Sequence, residues 1–196
     1  MQKNQVQNHP IPTFYYAISR MLERASFYGF RALVILYMIG ETLKMESSEA
    51  LEIYGLLVGS LLFSQIVGAV LGDLLIGNKK AMIVGAVIQA IGSFIVCIPS
   101  SIGLYVGLFL VVLGSGFYTP NVTSNFGKLY LNKTKLLDAG FTLFYLAINI
   151  GSFLGILGIG YLADHFDYQI GFIASGILML LSIIPILISK EFMPTE

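Results

Sequence analysis

The sequence predicts an all-α, polytopic membrane protein of six transmembrane helices, and three observations carry that reading. Of 196 residues, 56% are hydrophobic and 11% charged, with a mean hydropathy of +0.82. That is too few charges to cover a water-soluble domain of this size. The apolar residues fall into runs of about 20, the length needed to cross a hydrocarbon core about 30 Å thick. The lysines gather in alternate loops, as expected of a chain threaded back and forth through a bilayer.

Helix 1 is expected near residues 13–40, behind a polar tail, 1–12. Arg20, Glu23, Arg24 and Arg31 interrupt its apolar run, so it is no cleavable signal peptide and is expected to be retained as a spanning helix. Helix 2 is expected near 51–76 and helix 3 near 80–99. Helix 3 holds the only cysteine, Cys97, which excludes an intramolecular disulfide and reads as a small apolar filler. Helix 4, near 102–131, contains Pro120, which removes a backbone hydrogen bond and frees a carbonyl. Helix 5 is expected near 137–163 and helix 6 near 169–189. The domain reading is a six-helix bundle, 13–189, followed by a tail or linker start, 190–196.

Lysine placement sets the topology. With Lys3, Lys79, Lys80, Lys128, Lys133, Lys135 and Lys190 on one side, only Lys44 is left for the other. Both termini are therefore expected in the cytoplasm of an integral plasma (inner) membrane protein. The opposite face carries Glu41, Glu46, Glu49, Glu52, Asp164 and Asp167.

Helix 2 ends in GAVLGD (Gly68 to Asp73) and helix 5 in GIGYLAD (Gly158 to Asp164), on opposite faces of that topology. Such a pair is expected of an inverted three-plus-three repeat. Glycines four apart, at 55 and 59, 68 and 72, 103 and 107, and 151 and 155, are expected to let helices approach closely in lipid.

Helix 1 holds the most informative group. At 100° per residue, Tyr16, Arg20, Glu23, Arg24, Phe27, Tyr28 and Arg31 fall within an arc of roughly 140°. An ionised group at bilayer depth costs at least about 2.5 kcal/mol, so this stripe must face a wet cavity or a partner. The plainer reading is that Glu23 pairs with Arg20 or Arg24 to hold helices together. Arg24 and Arg31 are expected to line water. Gln65, Gln89, Thr119, Asn121 and Asn149 are the other polar intramembrane positions, each more often interhelical glue than a ligand contact.

These residues resemble a known family. ER-x-S-F-Y-G-F-R (Glu23 to Arg31) is similar to the helix 1 signature ExxERFxYYGxR of proton-dependent oligopeptide transporters, the POT family of the major facilitator superfamily. GSGFYTPNVTSNFG (Gly114 to Gly127) resembles that family's helix 4 pattern G-x-G-x-x-K-P-x-x-S, and FTLFYLAINIGSF (Phe141 to Phe153) its helix 5 signature F-Y-x-x-I-N-x-G. GAVLGDLLIGNKK (Gly68 to Lys80) is similar to the superfamily's loop between helices 2 and 3. The resemblance implies half of a major facilitator fold. It also implies peptide contacts at Arg31, Tyr28, Asn149 and Arg24, a coupling network at Glu23, Arg24 and Arg20, and a gating loop with Asp73, Gly77, Lys79 and Lys80.

Two departures bear on mechanism. Arg20 stands where the family has the first Glu of ExxER, and Thr119 where it has the helix 4 Lys. Losing one partner of a buried pair costs about 3–5 kcal/mol, whereas losing both removes the pair together. The site therefore reads as rewired. Three arginines against one glutamate leave the stripe at net +2, which favours an anionic ligand such as a carboxylate, and the crowding arginines make Glu23 a poor proton carrier.

The family's peptide site lies between two halves, and this chain supplies one. The first functional reading is a half-size peptide-transporter-like protein. It would move small peptides or related carboxylates as a homodimer or with a second half chain, with proton coupling in doubt. The alternative is a non-transporting membrane subunit that uses the fold as a partner-binding scaffold. No cofactor, metal or nucleic acid is expected. His9 and His165 lie at opposite ends and no nucleophile-base pair appears, so an enzyme is not expected.

Overall fold

The computed structural model describes residues 8–189, and all its regular structure is helical. In order these are α1 (Pro12–Ile39), α2 (Ser47–Leu71) continued by one π turn (Gly72–Ile76), α3 (Asn78–Val96), α4 (Ser101–Lys128), a 3-10 turn (Thr134–Leu136), α5 (Leu137–His165), α6 (Tyr168–Leu181) and α7 (Ile183–Ile188). Residues 47–76, 78–96, 101–128, 134–165 and 168–188 form five segments long and apolar enough to cross a membrane. At 28 residues α1 matches α4 in length, but its four charges break the apolar run.

Local chemistry explains where the boundaries differ from expectation. α3 stops at Val96, ahead of the expected residue 99, because the residue before Pro99 is pushed away from helical angles. Cys97 thus sits at the helix end, its thiol donating to Ser93 O and Gln169 O at 3.5 Å each. The sixth segment is broken at Ser182, since Pro185 lacks the N–H for the Leu181 carbonyl and its ring crowds it. Gly77 takes φ 84° in the sharp turn between the π turn and α3, a backbone angle that favours glycine.

The helices group around two centres. α1 packs on α5 and on α6, while α4 packs on α2 and on α3, and α3 and α6 join the groups. Small residues set both α1–α5 and α4–α2. Any Cβ at Gly151 or Gly155 would collide with the backbone of Met21 or Ala25, and one at Gly68 with the backbone of Gly116. Lipid offers no hydrophobic drive between helices, so this close approach supplies the van der Waals contact that holds them. Gly55 and Gly59 have nothing near their missing Cβ and instead line an open apolar groove between α2 and α4. Serines stitch α1 to α6, with Ser26 Oγ donating to Ser175 O at 2.8 Å and Ser175 Oγ to Ser26 O at 3.0 Å. At the break Ser19 Oγ donates to Ser182 O at 2.6 Å, and Ser19 also meets Tyr118 OH at 2.7 Å.

Contacts between loops define the two ends of the bundle. Lys133 Nζ donates to Asn8 O at 2.9 Å and Lys128 Nζ to Asn78 Oδ1, which brings the chain start, the 77–80 turn and the α4–α5 loop together. Lys79, Lys80, Lys128, Lys133 and Lys135 thus share one end. At the other end Tyr37 meets Tyr168 edge-on, and Lys44 pairs with Glu41 at 3.1 Å. Lys3, Lys190, the tail 190–196 and most of 1–12 lie outside the described residues.

Candidate functional site

The α1 stripe divides into a closed part and an open part. Glu23 is fully buried, with Arg20 and Arg24 nearly so. Arg20 Nη1 donates to Glu23 Oε2 at 2.9 Å, Arg24 Nε donates to the same oxygen at 2.7 Å, and Arg24 Nη2 donates to Oε1. Thr119 of α4 stands opposite. Its hydroxyl accepts from Arg20 Nη1 at 3.4 Å and Arg24 Nη2 at 3.3 Å.

Glu23 thus pairs with both arginines of its own helix. One carboxylate against two guanidinium groups leaves a buried surplus of one positive charge. Rings stand where a second counter-ion would be needed. The Arg24 guanidinium lies 4.6 Å from the Phe27 ring centroid and that of Arg20 5.9 Å from Phe144, a contact that favours a cation over the ring face. Arg20 Nε has no hydrogen-bond partner among the described residues.

One and two turns along, the stripe opens. Tyr28 and Arg31 are half-buried, and Arg31 donates through Nε at 3.1 Å and Nη2 at 2.6 Å to Tyr54 OH on α2. A phenol is a neutral acceptor, so Arg31 keeps its charge uncompensated. Its guanidinium also lies within 6 Å of the rings of Phe27, Tyr28 and Tyr54, at 5.8, 5.9 and 5.3 Å. The expected water-lining pair is thus split: Arg31 is half-open, whereas Arg24 is 9% exposed and engaged with Glu23. Asn149 is exposed on α5 and its amide donates back to Tyr145 O at 2.9 Å.

The turn between α2 and α3 forms a second polar group. Asn78 Nδ2 donates to Asp73 Oδ1 at 2.6 Å and to Asn121 Oδ1 at 2.7 Å, and Asn121 Nδ2 donates to Gly68 O at 2.9 Å. Asn121 thereby ties α4 to α2 beside Pro120. Gly77 supplies the turn, Lys80 is exposed and Lys79 half-buried. Of the residues that knit the turn, Asn78 lies inside the Gly68 to Lys80 stretch and Asn121 inside the Gly114 to Gly127 stretch, but no sequence signal joined them to each other or to Lys128.

Among the described residues no group of three His, Cys, Asp or Glu side chains is placed to hold a metal ion. What the site can do is receive an anion at Arg31, beside aromatic rings, with the closed arginine pair behind it.

Comparison with known proteins places the chain among its relatives. The family model PTR2, described as the POT family, matches residues 79–196. An uncharacterized transporter of Bacillus subtilis, YclF, is 32% identical over 191 residues, covering 93% of this chain and 38% of its own length. The peptide transporter YePEPT of Yersinia enterocolitica is 32% identical over 183 residues, covering 90% of this chain and 36% of its own. A crystal structure of a peptide transporter POT in complex with sulfate superposes with a TM-score of 0.87 at 30% identity, over 94% of this chain and 39% of that one. The chain thus spans well under half the length of the relatives it matches.

Proposed function

The chain belongs to the POT family, and from that membership we propose that it is one six-helix half of a peptide transporter. It moves small peptides or related carboxylates together with a second half, either another copy or a separate chain. The observation that carries this reading is the half-open Arg31, held by Tyr54 and flanked by Tyr28, at the edge of a stripe whose other charges are closed off. A carboxylate fits a guanidinium, and the rings suit apolar side chains.

Burial of Arg20, Glu23 and Arg24 supports α1 as a sixth span, because its charges meet one another rather than lipid. Pairing supports the three-plus-three repeat. α5 lies on α1 through Gly151 and Gly155 as α2 lies on α4 through Gly68, and α6 joins α1 as α3 joins α4. Clustering of the described lysines at one end supports a cytoplasmic assignment for that end. Protease protection of tags at both termini tests this sidedness.

Glu23 has no free carboxylate oxygen and two cationic partners, so the half works with little coupling to protons. The same closure favours one competing reading, a scaffold subunit whose triad only holds helices together. Uptake of labelled dipeptide into vesicles that hold this chain together with its second half separates the two. A transporter loses uptake with Arg31→Gln and keeps it with Lys135→Gln, while a scaffold gives none above protein-free vesicles.

A further inference from the structure

At the lysine-rich end, the segment Pro10 to Pro12 and the stretch Lys128 to Lys133 enclose an open pocket of about 340 Å³. Its walls are fixed rather than loose. Buried Tyr130 OH shares hydrogen bonds with Thr13 Oγ1 at 2.8 Å and His9 Nδ1 at 3.0 Å, and Lys133 Nζ donates to Asn8 O at 2.9 Å. Phe126 packs behind Tyr130, with ring centroids 5.6 Å apart. Three hydrogen bonds thus pin the chain start to the α4–α5 loop.

Two ammonium groups line this pocket, and among the described residues neither pairs with a carboxylate. Lys133 donates to a backbone carbonyl and Lys128 to the side-chain oxygen of Asn78. Each ammonium carries three donors, so both retain donors for an anion. Asn132 adds an amide at the rim. Of the apolar lining Ile11 is 74% exposed, and Leu131 and Phe14, which adjoin the lining segments in the chain, are 61% and 55% exposed. They occur where α1 begins and α4 ends, the level at which a spanning helix leaves hydrocarbon.

A small soluble anion would use the lysines and leave those side chains bare. A phospholipid uses both, its phosphate on the ammonium groups and its acyl chains on the apolar rim. We propose that this pocket binds the headgroup of an anionic phospholipid, seated between Lys128 and Lys133 with Ile11, Phe14 and Leu131 against its chains. Basic pockets between transmembrane helices take anionic headgroups in this way.

The test uses the full chain in mild detergent, titrated with phosphatidylglycerol or phosphatidylcholine and read by native mass spectrometry. Phosphatidylglycerol should be retained in preference to phosphatidylcholine, and Lys133→Gln should lower that preference about fivefold, as should Lys128→Gln. Lys135→Gln, whose ammonium lies outside the pocket, should leave it unchanged. An equal loss with Lys135→Gln would mean diffuse surface charge and overturn the site. Displacement of the lipid by an equal concentration of glycerol phosphate or inorganic phosphate would overturn the lipid in favour of a free anion. Because Lys128 also holds Asn78, the wild-type lipid preference and the Lys133→Gln protein decide the matter if Lys128→Gln does not fold.

Discussion

Arg24 closes on both carboxylate oxygens of Glu23, its neighbour in the chain, while Arg20 takes the Oε2 atom from one turn earlier. Adjacent helical positions point about 100° apart, so this pairing needs the long arginine stem to fold back along the helix. It places a full ion pair inside the bundle and leaves Arg31, held among the described residues by the Tyr54 phenol, as the half-open cation of the stripe.

Removing the shared carboxylate strands two buried guanidinium groups. Glu23→Gln should lower stability by about 3–5 kcal/mol, seen as a large drop in melting temperature of the detergent-solubilised protein. Thr119→Val, which deletes one neutral acceptor, should cost only about 1 kcal/mol. A Glu23→Gln protein that melts like the wild type would mean the triad is solvated.

Helix contact through glycine predicts a sharp contrast between positions. Gly155→Val pushes a side chain into the Ala25 backbone and should cost about 1–3 kcal/mol or more, as overpacking does. Gly59→Val meets open space and should be neutral. Melting temperatures of the two variants, measured side by side, check the α1–α5 packing directly.

The split of the stripe is testable by chemistry. In a Cys97→Ser background, a cysteine at 31 should react readily with a small polar thiol reagent, and one at 24 should react slowly. Equal reactivity would place Arg24 in the same wet cavity as Arg31.

Proton coupling offers a fourth test. With Glu23 occupied on both oxygens and Thr119 in the helix 4 position, an imposed inward proton gradient should leave the initial rate of dipeptide uptake nearly unchanged. Strong acceleration would mean that Glu23 releases its arginines during the cycle.

Sequence alone revealed five apolar spans, because hydropathy and charged punctuation are local properties. It also revealed that one face of α1 is charged, since helical periodicity fixes which residues share a face. What it left open was partnership. Tyr54 is one of eleven tyrosines, and nothing local marks it as the residue α2 brings to Arg31. The reciprocal Ser26 and Ser175 bonds and the Tyr130 tether likewise depend on where helices cross. Glycine spacing was legible as close packing, yet Gly55 and Gly59 face a groove, because spacing fixes a helix face and not the neighbour that fills it. The expectation that Asn149 joins Arg31 and Tyr28 at a peptide rests on resemblance, and in this chain its amide is turned back onto its own helix.

Alternating access needs two bundles moving about a shared site, and the six helices of this chain form one. The most direct measurement is dipeptide uptake by the full chain reconstituted at falling protein-to-lipid ratios, down to less than one copy per vesicle. The half-transporter account predicts that uptake per chain collapses once vesicles hold single copies and returns when a second half is supplied. Undiminished uptake per chain in single-copy vesicles would contradict it and require a complete transport pathway within one bundle.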